Sequence, residues 1–361
     1  MTAPDEDRMK LLKFTTHYLF AIAVCIFALM SVGLSQTPAP PTGKPPDVKT
    51  KIKAPKFPMK GESPPTVDMA DGTTSERAIA VDPKVSLTLC VAEGNVKITG
   101  WKRNEIRAFV QDGSRFRFSV LQKSTDGEKP VLVSLVGLRQ LSNGSPTTIE
   151  CIAGEEVELD VPENSAISLK GHETETSVDR VRKASVTNIG GDISVQNVAE
   201  GVWATTYRGV VTVENSRGSM QLASSTGNVI AYSVAPADVG DTFKAKTNSG
   251  NISLEKLGFR LADVTSISGS LLYSGELLSG GSFNFNTTNG AIRLAIPQNS
   301  SCRIIATYGF GNLNSNLPIK VLTDDNHPGP TKTINAVLGR GEATLRLTTS
   351  SGSIQIKKLE P

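Results

Sequence analysis

The chain has 361 residues and a formal net charge of +3 at pH 7. The charge is unevenly placed: residues 36–60 hold six lysines against one acid, whereas residues 61–361 carry 29 basic and 31 acidic residues, a balance of −2. Because proteins dedicated to nucleic acid concentrate basic residues on their folded part, this nearly neutral part argues against that class of function.

The first 35 residues are typical of a signal peptide or a membrane anchor. Three basic residues precede an apolar run over residues 18–34, and Gly33 and Ser35 are small residues placed for cleavage after Ser35. The run of about 17 residues is at the lower limit for crossing a bilayer, so an uncleaved transmembrane anchor stays open. The lysines after the run oppose the usual excess of positive charge on the cytoplasmic side. We nevertheless expect export to the periplasm or the cell surface.

Residues 36–80 form a Pro/Lys-rich linker. Nine of the 20 prolines lie within residues 36–66, and such a composition favours extended polyproline conformations. One interpretation is a spacer with no binding role. The other is contact with an anionic membrane, to which each lysine near the surface would contribute about 1 kcal/mol. The lysines concerned are Lys44, Lys49, Lys51, Lys53, Lys56 and Lys60.

Residues 81–361 change to a pattern of short strands and form the predicted folded domain. Apolar and polar residues alternate, or follow a glycine turn, over residues 85–89, 93–98, 115–120, 131–135 and 156–161. Two segments rich in turn residues, 122–130 and 139–148, separate some of these strands. No segment shows the periodicity of an amphipathic helix, so the sequence predicts an all-β fold.

One short phrase recurs through the second half of this domain. In most copies it consists of Ser, Thr or Asn, then Gly, then a small or polar residue, then an aliphatic residue; the copies at 189–193 and 207–211 have Gly and Arg before the turn glycine. Its glycines, which we predict to lie at turns, are Gly191, Gly209, Gly227, Gly250, Gly269, Gly290 and Gly352. The first six are 18, 18, 23, 19 and 21 residues apart. A repeat near 20 residues, built from short strands and glycine turns, is typical of a β-solenoid.

The repeat also predicts how the coils pack. The aliphatic residue two positions after each glycine should point inward, and the polar residues before it should form ladders along the stack. Dividing residues 81–361 by the repeat length gives roughly 14 coils.

These phrases resemble the bacterial putative-adhesin family, a β-strand-repeat domain of unknown function. The resemblance rests on the serial glycine phrases together with segments 157–162, 294–297, 306–311 and 347–356. It implies a right-handed, single-stranded β-helix on an exported, envelope-associated protein. It supplies no catalytic residues. Some members are linked to envelope-stress signalling.

An enzyme is the main alternative, because parallel β-helices also carry polysaccharide-cleaving sites built from carboxylates on adjacent coils. Asp179, Asp192 and Glu214 fall on successive coils, with Arg180, Arg182 and Arg208 nearby in sequence. A solvated charged face with local ion pairs is the interpretation that we favour.

Other candidate residues are sparse. His172 and His327 lie in predicted loops, and residues 324–326 match only a fragment of a calcium loop. Cys90, Cys151 and Cys302 cannot all pair within one chain; a Cys90–Cys151 bridge and unpaired, buried cysteines both stay open. No cofactor or metal is expected.

Aromatic residues suggest one further hypothesis. Trp101, Trp203 and Tyr207 could form a sugar-stacking platform, although core capping is the interpretation that we prefer for each.

The sequence therefore predicts a non-catalytic, adhesin-like solenoid that binds or scaffolds in the cell envelope. Its expected partners are envelope glycans or envelope proteins, with no nucleic acid. A membrane-tethered sensor of envelope stress and a polysaccharide-active enzyme are the two other functions considered.

Overall fold

The computed structural model describes residues 75–142, 144–325 and 330–360, and in these ranges the chain forms 26 β-strands. The described ranges contain no helix that is long and apolar enough to cross a membrane. The predicted signal segment and most of the predicted linker, including its six lysines, lie outside the described residues. The all-β prediction is confirmed for the described part of the chain.

The N-terminal part of the domain combines long strands with antiparallel ones. Its strands are β1 (Ser75–Ala80), β2 (Ser86–Trp101), β3 (Glu105–Gln111), β4 (Arg115–Lys123), β5 (Pro130–Gln140), β6 (Pro146–Ile149), β7 (Cys151–Pro162) and β8 (Ala166–Asp179). Strand β2 lies parallel to β5, β7 and β8, whereas β1, β4 and β6 make antiparallel pairs with β3 and β5.

The regular repeats follow β8. Their strands are β9 (Lys183–Gly190), β10 (Ile193–Gln196), β11 (Gly201–Arg208), β12 (Val211–Glu214), β13 (Ser219–Thr226), β14 (Val229–Val234), β15 (Phe243–Ser249), β16 (Ile252–Leu257), β17 (Leu261–Ser268), β18 (Leu271–Ser274), β19 (Ser282–Asn289) and β20 (Ile292–Ile296). Each odd-numbered strand pairs in parallel with the next odd-numbered strand, and each even-numbered strand with the next even-numbered one. We call these two stacks the first ladder (from β9) and the second ladder (from β10).

The C-terminal strands depart from chain order. They are β21 (Cys302–Phe310), β22 (Leu313–Ser315), β23 (Lys320–Asp325), β24 (Lys332–Leu338), β25 (Ala343–Ser351) and β26 (Ile354–Lys358). Strand β25 lies between β19 and β21, and β26 lies between β20 and β22. The last coil of the chain is therefore inserted before the one that precedes it in sequence. Strands β24 and β23 continue beyond β21 in antiparallel pairs.

Two details of the sequence prediction need correction. Residues 86–89 and 93–98 belong to one continuous strand, β2, because Gly94 adopts a φ of +113° within the strand instead of ending it. The prediction of roughly 14 serial coils is too high, because the residues before β9 form long and antiparallel strands.

The core lies between the inward sides of the two ladders. The aliphatic residues predicted to point inward are buried: Ile193, Val211, Val229, Ile252, Leu271, Ile292 and Ile354. Phe243, Phe259, Phe283 and Phe285 fill the middle coils and are fully buried. Alternation along each strand leaves the other set of side chains pointing outward, so each ladder presents an outward face.

Candidate binding face

The glycine between the two strands of a coil determines how closely successive coils stack. Gly250 has a φ of +157°, and a Cβ built on it would collide with the backbone carbonyl oxygen of Gly227 on the preceding coil. The same collision with the preceding coil's glycine carbonyl would occur at Gly209, Gly227, Gly269, Gly290 and Gly352, while at Gly191 the carbonyl is that of Thr174. Close backbone approach therefore requires glycine at these positions, and a positive φ adds to this requirement at all of them except Gly290.

Buried hydroxyl groups bind the coils together beside this turn. Thr247, three residues before Gly250, donates a hydrogen bond of 2.9 Å to the carbonyl oxygen of Gly227, and its side chain is fully buried. The equivalent bonds to the preceding glycine carbonyl come from Thr206, Ser224, Ser266, Thr287 and Thr349. These hydrogen bonds fix the register of the coils they join, so the outward side chains of successive coils line up.

Asparagine and aspartate side chains just after the glycines form a further set of hydrogen bonds between coils. Asn228 accepts a hydrogen bond of 2.8 Å from the backbone N–H of Asn251, and Asn251 accepts one of 2.8 Å from the N–H of Ser270. Asp192 accepts in the same way from the N–H of Val210 at 2.7 Å. The residue after the glycine thus has a structural role in these coils.

The outward side of the first ladder carries the most prominent aromatic residues. Trp203 and Tyr207 lie on the same side of β11 and are 47% and 60% exposed. Ile189 on β9 is 50% exposed and lies beside Tyr207, as the pairing of the neighbouring residues requires. The indole N–H of Trp203 donates a hydrogen bond of 3.0 Å to the amide oxygen of Gln221 on β13, which holds the ring against the face.

The next two strands place small residues and then lysines beside these aromatic residues. Trp203 pairs with Gln221, and Gln221 pairs with Lys244. Thr205 pairs with Ala223, and Ala223 pairs with Lys246. Ala223 is half-buried, whereas Lys244 and Lys246 are exposed. We call the outward surface of β11, β13 and β15 the aromatic–lysine trough.

The lysine side of this trough is missing from the sequence-based predictions, although the spacing of the repeats indicates it. Adding the repeat spacings of 18 and 23 residues to position 203 leads to Gln221 and then Lys244. The same spacings applied to position 205 lead to Ala223 and Lys246. Counting coil by coil from an exposed aromatic residue therefore indicates its neighbours across the ladder.

Trp101 does not take part in this face. Its indole N–H donates a hydrogen bond of 2.8 Å to the carbonyl oxygen of Glu105. The guanidinium groups of Arg103 and Arg107 lie over its ring, 5.0 Å and 5.7 Å from the centroid. The structure thus separates the three aromatic residues of the platform hypothesis into one packed in the N-terminal part and two exposed on the first ladder.

The three carboxylates considered for catalysis are bonded to other groups of the protein or lie apart from one another. Asp179 accepts a hydrogen bond of 2.7 Å from the amide of Asn197 and lies 3.2 Å from the guanidinium of Arg180. Gln196 on β10 lies between Asp179 on β8 and Glu214 on β12 and so separates these two acids. Asp192 lies at the turn, where it accepts the backbone bond described above.

The arginines near these acids are also paired. Arg182 contacts Glu200 at 2.9 Å, and this hydrogen bond lowers the pKa of Glu200. Arg208 contacts Glu173 at 2.6 Å. These exposed pairs match a solvated charged face and contribute little to stability individually.

The structure joins Cys90 and Cys151 in a disulfide between β2 and β7, which resolves the alternative left open by the sequence. The ligand atoms of Cys90, Cys151 and His172 lie within 4.8 Å of one another, because β2 pairs with both β7 and β8. With the sulfurs covalently joined, this group offers no thiolate to a metal. Cys302 is buried, and burial raises the pKa of its thiol to about 11.

The remaining candidate residues lie at the edge of the described part or outside it. Asp324 is exposed in β23. His327, Asn326 and the side chain of Asp325 lie outside the described residues.

By its fold, the protein is a β-solenoid. The chain belongs to the Toastrack DUF4097 family, whose model matches residues 92–357. This match confirms the family resemblance carried by the glycine phrases. The family is a domain of unknown function, and the match assigns no catalytic residue.

A solved structure is also similar to the chain. It is described as a putative cell adhesion protein from Clostridium sporogenes, with 11% sequence identity and a TM-score of 0.22, and the match covers 79% of this chain and 99% of that one. A comparison with curated proteins gave no match.

Proposed function

We propose that the chain is a non-catalytic, adhesin-like protein of the cell envelope, whose solenoid binds or scaffolds an extended partner. The observation that carries this proposal is a group of exposed apolar side chains on the outward face of the first ladder. Ile189, Trp203, Tyr207, Leu261 and Ile267 lie there, each between 45% and 60% exposed. Large apolar side chains gathered on one exposed face are typical of interaction surfaces.

The shape of the surface supports an extended partner. Hydrogen-bonded ladders keep equivalent positions in line from coil to coil, so a partner can make similar contacts on several coils. Envelope glycans and envelope proteins are both extended partners of this kind. The family membership is compatible with such a binding role.

A non-catalytic role is supported by the state of the acids. Hydrolysis of a glycosidic bond uses two carboxyl groups on either side of the bond. Here Asp179 is bonded to Asn197 and Arg180, and Asp192 is bonded to a backbone N–H.

Export is the second element of the proposal. The apolar segment at residues 18–34 supports a signal or anchor, and the disulfide between Cys90 and Cys151 suits an oxidising compartment outside the cytoplasm. The Pro/Lys-rich linker would then hold the solenoid away from the membrane, with its lysines close to anionic lipid headgroups.

Co-sedimentation of the full chain with delipidated cell envelopes of its own bacterium tests the binding role. The variant Trp203→Ser/Tyr207→Ser removes the exposed aromatic residues, and Ile230→Ser/Leu272→Ser removes exposed apolar residues of the second ladder as a matched control. We expect the wild type and the control variant to sediment. The aromatic variant should lose at least about tenfold in apparent affinity, because most binding energy at an interface comes from a few aromatic anchors.

Two results would contradict the proposal. Equal sedimentation of all three proteins would remove the first ladder from the binding site. Release of soluble sugar from the envelopes by the wild type would instead favour the enzyme alternative.

A further inference from the structure

The aromatic–lysine trough has two unlike walls and a low floor. Trp203 and Tyr207 rise from β11 on one side, and Lys244 and Lys246 rise from β15 on the other. Between them β13 contributes only Gln221 and the small residues Ala223 and Ser225. A ligand lying along β13 would therefore touch aromatic rings on one side and ammonium groups on the other.

The trough has the chemistry that a sugar polymer requires. Aromatic rings stack against the apolar face of a sugar, because they combine a large apolar surface with low conformational entropy. Within the described part of the chain, the hydroxyl groups of Thr205 and Ser225 have no side-chain hydrogen bond, so they can bond to sugar hydroxyls. The amide of Gln221 is already oriented by the indole of Trp203.

The length of the aromatic wall indicates a chain and not a single sugar. Trp203 and Tyr207 are four residues apart along an extended strand, which places their Cα atoms about 13 Å from each other. A ligand that contacts both rings must span several sugar units.

The two lysines indicate that the bound sugar chain carries negative charge. Lys246 lies between Ala223 and Thr265 in the ladder, so no acid neighbours it in register. Lys244 lies beside Asp263, yet the described residues include no ion pair within 4.0 Å for either lysine. Lysine side chains that lack internal partners are available to carboxylate groups of a ligand.

The nearest acids are already engaged. Asp263 accepts a hydrogen bond of 2.9 Å from the amide of Asn284. Asp241, at the Ser219 end of β13, accepts bonds from the hydroxyl of Ser219 and from the backbone N–H groups of Ala237 and Asp238. These bonds lower the pKa of Asp241 and hold its carboxylate away from the floor at Ala223.

From this arrangement we infer that the aromatic–lysine trough binds a segment of a linear acidic polysaccharide, with its sugar rings against Trp203 and Tyr207 and its carboxylates facing Lys244 and Lys246. The inference rests on the proposed function and gives its partner a chemical class. A neutral glycan would use the aromatic wall alone and leave the lysines without a role.

Titration of the full chain with polygalacturonate, a linear polyuronate, tests the inference, with dextran as the neutral probe. We expect polygalacturonate to bind at low salt and dextran to bind at least tenfold more weakly. Lys244→Gln/Lys246→Gln should reduce polygalacturonate affinity at least fivefold and flatten its salt dependence, since two charge contacts are lost. Trp203→Ala/Tyr207→Ala should reduce it at least tenfold.

Lys357→Gln is the matched control, because this exposed lysine belongs to β26 in the second ladder. It should bind like the wild type. Equal affinity of Lys244→Gln/Lys246→Gln and wild type, equal binding of dextran, or no binding of polygalacturonate would each overturn the inference. The proposed function would survive these results if the aromatic residues still governed sedimentation with whole envelopes, so the two failures can be told apart.

Discussion

At the scale of single residues, the fold depends on glycine positions where an added Cβ atom would collide with the backbone of the preceding coil. The turn glycines lie against the carbonyl oxygen of the preceding coil, and the hydroxyl three residues earlier bonds to that same oxygen. One carbonyl per coil thus receives both a close backbone contact and a buried hydrogen bond. A buried hydroxyl that lost this partner would leave an unsatisfied polar group, at a cost of about 1–3 kcal/mol.

The first prediction concerns Gly250. Gly250→Ala should lower the free energy of unfolding by at least about 4 kcal/mol, because the new Cβ would collide with the carbonyl oxygen of Gly227 in addition to straining φ. Gly240→Ala is the control: Gly240 also has a positive φ, +102°, but nothing lies within 4 Å of a Cβ built there. The control should cost only about 1–2 kcal/mol. Urea denaturation followed by circular dichroism measures both, and equal losses would show that the close approach does not matter.

At the scale of elements, a disulfide links two of the N-terminal strands. The disulfide between Cys90 and Cys151 joins β2 to β7 across 61 residues of sequence. Strand β2 also pairs with β8, which pairs with the first strand of each ladder, β9 and β10. A cross-link over so long a loop restricts the unfolded chain and thereby stabilises the folded one.

The prediction at this scale is that Cys90→Ser/Cys151→Ser lowers the free energy of unfolding by about 2–5 kcal/mol. Reduction of the wild type should give the same loss, whereas reductant should not change the stability of the double variant. Cys302→Ala serves as the control for reductant, because Cys302 is buried without a partner cysteine and reduction should still destabilise this variant. Denaturant midpoints with and without reductant provide the test. A wild-type midpoint that does not respond to reduction would contradict the role of the bridge.

Much of the repeat could be predicted from the sequence, because glycine spacing and alternation are local. The aliphatic residues after the turn glycines are buried as predicted, and the polar residues form ladders with turn backbone. The insertion of β25 and β26 between earlier coils could not be predicted, because the phrase around Gly352 resembles every other phrase. The antiparallel strands before β8 likewise depend on non-local pairing that alternation does not specify.

The candidate site was predictable only in part. Trp203 and Tyr207 were identified by residue type, but their exposure depends on the direction in which β11 faces. The lysines opposite them lie on β15, two strands further along the first ladder. Their position beside the aromatic residues depends on the pairing register of β11, β13 and β15.

At the scale of the whole domain, the described part of the chain closes its core between two ladders and leaves two outward faces with different chemistry. The first ladder exposes aromatic and aliphatic side chains beside lysines that lack internal partners. The N-terminal strands instead carry ion pairs between acids and arginine or lysine, such as Asp160 with Arg107, a contact that raises the pKa of Arg107. We therefore propose that the domain binds its partner through the first ladder.

Hydroxyl-radical footprinting of the full chain, alone and bound to delipidated envelopes, tests that claim most directly. Trp203 and Tyr207 are exposed and react readily when free, and Tyr232, which is half-buried on β14 in the second ladder, serves as the internal reference. We expect envelopes to protect Trp203 and Tyr207 from oxidation at least fivefold while the reactivity of Tyr232 stays unchanged, as expected for aromatic anchors buried at an interface. Unchanged oxidation of Trp203 and Tyr207 in the bound protein would contradict it.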